Sequence, residues 1–176
     1  AETRRISLFV DHLLGRRKIF QQQPSDYLYP GLPAIEFYER DEFPWLGDLE
    51  GATPAILADL QRVLPHGEGF TPYIRYPESR PLDQWKELNY SDRWSAFHFK
   101  YYGVADQKNC SACPNTAAIL ESLPQPKVRG RMPAAMFSIL KPHTRIPPHT
   151  GGANVHPVVH RPTIGPRGGG GKGGGL

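Results

Sequence analysis

The stretch "WSAFHFKYYG", residues 94–103, changes the period of the chain from helical to alternating. In an extended segment it sets Phe97, Phe99 and Tyr101 on one face and Ala96, His98 and Lys100 on the other. That is the pattern of a half-buried strand. Further on, "AAMFSILKP" (134–142) is apolar nearly throughout, as a strand buried on both faces would be.

Upstream of residue 94 the pattern is helical. Ile6, Phe9, Val10, Leu13 and Leu14 recur at helical spacing, so residues 5–15 read as a short amphipathic helix stopped by Gly15. "TPAILADLQRVL" (53–64) is the clearest helix. Thr53 suits an N-cap, Pro54 the first helical position, and Ile56, Leu57, Leu60, Val63 and Leu64 form the apolar stripe. Between these helices Pro30, Pro33 and Pro44 break the chain, and "AIEFYE" (34–39) reads as a short extended piece. "NTAAILESL" (115–123) is a further short helix, ended by Pro124. Helices ahead of strands, with proline-rich turns, predict an α+β fold with a β-sandwich or barrel core.

The chain has 176 residues, enough for one domain with a real core. Hydrophobic residues make up 39% and aromatics 11%, which suits a globular chain. The formal charge of +4 is scattered. Its clusters, Arg16-Arg17-Lys18 and the looser Lys127, Arg129 and Arg131, read as solvated surface, so no nucleic-acid partner is expected. No apolar run is long enough for a membrane span, and the N-terminus does not read as a signal peptide; the expected setting is cytoplasmic. The last eleven residues (166–176), with seven glycines, are expected to form a flexible tail after a domain spanning 1–165.

Cys110 and Cys113 form "CSAC". A disulfide scaffold or a structural zinc site would need more cysteines. A redox pair and two ordinary thiols before a helix are both open readings, the second the plainer. Four histidines, His143, His149, His156 and His160, crowd the segment 141–160. Pro157, Pro162 and the pair Val158-Val159 argue for a strand around His156 and His160. Four strand residues span roughly 13 Å, too far for both to bind one ion through bonds near ~2 Å. His149, between Pro147-Pro148 and Gly151-Gly152, sits where the chain turns sharply. It is either a metal ligand or a turn histidine bonded to backbone.

"MFSILKPHTRIPPHTGGAN" (136–154) resembles the core motif of the aspartyl/asparaginyl β-hydroxylases, iron(II)- and 2-oxoglutarate-dependent dioxygenases. The resemblance rests on Phe137, Ser138, Pro142, Pro148, His149, Gly151 and Asn154. "YPGLPAIEFYERDEFPWL", "TPAILADL" and "NCSACPNTAAILESLP" also look like bacterial members, so it runs from about residue 5 to residue 164. It implies a double-stranded β-helix, the jelly-roll or cupin-like barrel, here partial and with N-terminal helices. His149 would be the first iron ligand. Gly151 stands where many related oxygenases place a third, carboxylate ligand. Ser138, Asn154 and His160 would lie on the co-substrate side of the pocket. Neutral imidazole suits Fe(II), and open positions are needed for O₂ and the keto acid. The implied reaction is hydroxylation of an unactivated carbon, the β-carbon of Asp or Asn in a protein substrate, or alternatively a lipid acyl chain.

"HPVVHRPT" (156–163) departs from the family's "Arg-Leu-x-x-His-Leu-Pro-Leu": His156, Pro157, Arg161 and Thr163 replace an arginine and three leucines. The family's second iron histidine and its carboxylate-binding arginine have no match here. The chain therefore reads as a C-terminally incomplete member, expected to be inactive alone. A non-catalytic binding module on the same scaffold is the rival reading, and a CSAC-based redox or zinc protein a further one.

Overall fold

Helix α3 (Thr53–Val63) forms where the apolar stripe lies, and it buries Ile56, Leu60 and Val63. Leu64 falls beyond its end and is exposed. Thr53 is not its N-cap. The short helix α2 (Leu46–Gly51) runs straight into α3, so Ala52 stays in the right-handed helical region at φ −78°, ψ −6°. The Thr53 hydroxyl donates instead to the Glu50 carbonyl at 2.7 Å.

The computed structural model describes residues 2–35 and 37–165; the tail expected at 166–176 lies outside the described residues. Two compact units result. The described part of the first is 2–42 with 149–159, and that of the second 43–148 with 160–165. In the first unit, α1 (Glu2–Leu13) begins and ends earlier than its apolar spacing predicts, with Gly15 in the left-handed turn beyond it. The extended piece expected at 34–39 forms no strand among its described residues, which lie in proline-punctuated coil and a bend.

The second unit holds a four-stranded antiparallel sheet: β1 (Phe70–Pro72), β2 (Trp94–Tyr101), β3 (Val104–Ala105) and β4 (Ala135–Leu140). β2 is central. β1 and β3 share one of its edges and β4 takes the other, because Ala96 pairs with both Thr71 and Ser138, and Lys100 with both Ala105 and Ala135. The fold is thus α+β, but the described sheet is open rather than a closed sandwich or barrel.

Helices cover one face of this sheet. Phe97, Phe99 and Phe137 are buried with Leu49, Ile56, Leu60, Val63 and Cys113 in the main core. The three rings lie 4.9–6.0 Å apart, Phe99 edge-on to Phe137. The opposite face also buries residues: Trp94 packs with Ile74 and Leu88, and Ala96 is inaccessible. β2 is therefore buried on both faces over its first half, not half-buried as alternation predicts. β4 departs the other way. Only Phe137 is fully buried, while Ser138 and Leu140 are exposed.

A bulge between His98 and Lys100, where two residues of β2 advance against one of β4, changes the facing of the strand's end. Phe99 stays in the core and the Lys100 amine reaches Glu121 at 2.6 Å, on the helical side. Tyr101 then lies beside His98, with ring centroids 4.7 Å apart. The strict alternation of residues 97–101 is overturned there. Tyr102-Gly103 closes the β2–β3 hairpin with positive φ at both residues, 50° and 82°. A side chain at Gly103 would meet the Met132 carbonyl oxygen at 2.7 Å.

Helices α4 (Gln107–Ala112) and α5 (Pro114–Ser122) complete the layer. Asp106 caps α4 by accepting from the Asn109 amide at 3.0 Å. The N-terminus of α5 is satisfied from another helix. The Asp59 carboxylate, on α3 and inaccessible to solvent, accepts from the Thr116 amide (2.8 Å) and hydroxyl (3.0 Å), Arg62 (2.7 Å) and Asn115 (3.3 Å). No helix among the described residues is long and apolar enough to cross a membrane.

Burial alone would push the Asp59 carboxyl up, but the Thr116 and Arg62 hydrogen bonds and the Arg62 charge together hold it below its usual range. Its contribution to stability is therefore complete above the unfolded pKa of about 3.9 and is lost as pH falls through the lower folded value. Asn at position 59 would turn donors toward the Thr116 amide. Asp59→Asn should cost about 2–3 kcal/mol near neutral pH and flatten the acid side of the stability curve. Urea melts from acid to neutral pH check both effects.

Candidate functional site

Ser138 lies on β4, on the sheet face away from the helices, because it is paired with Ala96, two residues from Trp94 on the same face. The Trp94 indole N–H donates to its hydroxyl oxygen at 3.0 Å. That indole is itself held by stacking on Tyr73, with centroids 4.1 Å apart. Ser138 Oγ thus has one acceptor position filled and its own proton available to donate. Trp94 was visible in the sequence as part of a strand, but nothing local marked it as the partner of a residue on another strand.

Past β4 the chain leaves the ladder. The Lys141 amide still bonds to the Arg93 carbonyl at 2.9 Å, and His143 then adopts a positive φ of 59°. Ile146 returns to the Trp94 cluster. Gln84 donates to the Pro148 carbonyl at 3.1 Å, beside a shallow cleft of about 210 Å³ lined by Leu88, Arg145 and Pro147 among others.

His149 is exposed and, with Asn154, belongs to the first unit; Ser138 and His160 belong to the second. The Asn154 side chain is engaged within its own unit. Its oxygen accepts from the Tyr29 amide (2.7 Å), and its amide group donates to the Tyr29 carbonyl (3.0 Å) and to Gln22 (2.8 Å). Neighbouring backbone bonds run from Asp26 and Tyr27 to the Gly152 carbonyl. The segment 22–29 is tied to 151–154 in this way.

The strand expected around His156 and His160 does not form; residues 157–160 have no regular structure. Pro157 has no N–H to give a ladder, which leaves β propensity in Val158-Val159 without effect. His160 is exposed, and Arg161 places its guanidinium on the Thr53 hydroxyl at 2.9–3.0 Å. Cys110 and Cys113 are free. Burial pushes both thiols up, Cys113 to about 11 with help from the Asp59 charge. They are ordinary protonated thiols packed at the α4–α5 junction. Among the described residues no group of three or more His, Cys, Asp or Glu gathers closely enough to hold a metal ion.

These features describe an α+β chain that offers a positioned serine hydroxyl on the helix-free face of an antiparallel sheet. The chain belongs to the aspartyl/asparaginyl beta-hydroxylase family, which matches residues 50–169. It is 32% identical over 128 residues to an ornithine lipid ester-linked acyl 2-hydroxylase of Rhizobium tropici, covering 73% of this chain and 41% of that protein. It is 28% identical to the aspartate beta-hydroxylase domain-containing protein 2 of Mus musculus over 141 residues, covering 79% of this chain and 38% of that protein. The Homo sapiens protein of the same name is also 28% identical, covering 79% and 36%. The chain spans about two fifths of the length of these curated relatives. No solved structure is significantly similar to it.

Asn154→Ala should release the 22–29 segment. Hydrogen exchange at Tyr29 should quicken about tenfold or more, as expected for losing one to two net hydrogen bonds. Exchange in β2 should stay unchanged, and amide-resolved exchange reads both.

Proposed function

We propose that this chain serves the hydroxylation of an unactivated carbon, with iron(II) and 2-oxoglutarate as cofactors and the sheet as part of a double-stranded β-helix. The observation that carries the reading is family membership over residues 50–169, which include the whole sheet. The geometry at Ser138 supports it. With Trp94 donating to its oxygen, Ser138 is oriented to donate to a carboxylate lying on the helix-free face. Asn154 and His160 are proposed on the co-substrate side and His149 as an iron ligand. One imidazole is not a metal centre, and the described residues do not gather a full ligand set.

Two substrate classes follow from the relatives' names. The aspartate beta-hydroxylase domain proteins support an Asp or Asn β-carbon in a protein or peptide. The acyl 2-hydroxylase supports a lipid acyl chain. A specific observation favours that second reading: α1 exposes Ile6, Phe9 and Leu13, and Arg16, Arg17 and Lys18 follow directly. Apolar side chains next to a basic cluster suit an anionic lipid surface.

Anaerobic titration with Fe(II) tests the ligand assignment. The chain should bind weakly, as one imidazole among water ligands, and His149→Ala should remove that binding. A tight one-to-one site that survives His149→Ala would overturn it.

A further inference from the structure

Helix α1 is turned opposite to α3. The apolar stripe of α3 is buried in the main core. The stripe of α1, Ile6, Phe9, Val10 and Leu13 at i, i+3, i+4 and i+7, is exposed, with Ile6, Phe9 and Leu13 at 64%, 66% and 72%. The half-buried residues of α1 are Leu8, Asp11 and His12, also at i, i+3 and i+4 but on the opposite face. The first unit therefore holds α1 by its more polar side and leaves the apolar side uncovered.

Charge is sorted to match. Asp11 lies on the inner face and pairs with Arg16 at 3.9 Å. Arg4 is taken up by Glu39. Arg5 flanks the stripe beside Phe9, four residues on, and is exposed. The basic run Arg16-Arg17-Lys18 is fixed to the helix by its cap. Gly15 sits at φ 66°, its amide donates to the His12 carbonyl (3.1 Å), and the Arg16 amide donates to the Asp11 carbonyl (2.9 Å). The His12 ring bonds the Arg17 carbonyl through Nδ1 at 3.0 Å. The cations thus stand at the C-terminal end of the stripe, where they also suit the helix dipole, and the exposed Ile19 and Phe20 follow them.

The combination selects what covers this face. A second copy is a poor fit. With Arg5 near one end of the stripe and Arg16-Arg17-Lys18 at the other, a two-fold contact sets cation against cation whether the helices run parallel or antiparallel. A bilayer with anionic headgroups meets both demands. The stripe enters the boundary of the acyl chains, and the basic side chains stay level with the phosphates.

We infer that α1 and the basic run after it form a docking element that lies in the surface of an anionic membrane, with Ile6, Phe9 and Leu13 inserted and Arg5 and Lys18 on the phosphates. The inference deepens the lipid reading above by naming a partner surface, and it rests on that reading only for what docking would serve.

The test uses the full chain without metal or co-substrate. It is mixed with phosphatidylcholine vesicles and, separately, with equimolar phosphatidylcholine–phosphatidylglycerol vesicles, and bound protein is measured by flotation. The chain should float with the anionic vesicles, far less with the neutral ones, and high salt should release most of it. Phe9→Ser combined with Leu13→Ser should lower partitioning about tenfold or more. Arg5→Gln combined with Lys18→Gln should do the same on anionic vesicles. All four side chains are exposed, so the melting temperature should not change in either variant. Phe9→Trp reports insertion itself. Against the wild-type baseline its added emission should shift to the blue on anionic vesicles and be quenched by lipid brominated on its acyl chains, which contact through charge alone would not give. The inference fails if the wild-type chain does not bind anionic vesicles, or if the Phe9–Leu13 variant binds undiminished. It also fails if that variant instead changes the oligomeric state in sedimentation, which would assign the face to a second copy. Vesicle binding needs no turnover and Fe(II) titration needs no vesicles, so the two readings can fail independently.

Discussion

The buried Asp59 carboxylate is the constraint on which the helical layer rests. A charge without solvent must be met on every side by donors, and those donors come from α3 itself and from the first turn of α5. Arg62 also reaches the last residue of α4, donating to the Ala112 carbonyl at 2.5 Å. Three helices are thereby fixed against one another before any apolar packing is counted. Cys113, at the α4–α5 junction, becomes part of the core floor on which Phe97, Phe99 and Phe137 sit. Once those rings are committed to the helices, the other face of β2 has to carry Trp94, Ala96 and His98. The polar face is a consequence of the helical one.

The elements legible in the sequence were those whose own period carried the signal. α3, α5, β2 and β4 stand where their patterns place them, and α1 is displaced by a few residues. β1 and β3 are too short to show a period and exist only through pairing with β2. α4 could have been found from Asp106 and Asn109 at cap spacing, although its six residues are too few to show an apolar period. The expected strand near His160 failed for the opposite reason: favourable β-branched residues had no partner strand and a proline beside them.

Legibility of the candidate site divides in the same way. Ser138, His149, Asn154 and His160 were named from a resemblance, residue by residue. Trp94 as the partner of Ser138 could not be, because the two are 44 residues apart and meet only through register. The Asn154 amide, by contrast, turned out to be occupied by the backbone of Tyr29.

The bulge in β2 has a consequence for comparing this chain with its relatives. Phe99 and Lys100 are consecutive yet both belong to the helical side, so odd and even positions exchange meaning at that point. A relative lacking the extra residue would present the same two faces with one residue fewer. An ungapped alignment through the strand would then set Lys100 against the residue that occupies the place of Tyr101. Divergence scored at those columns would measure a change of side, not a change of chemistry.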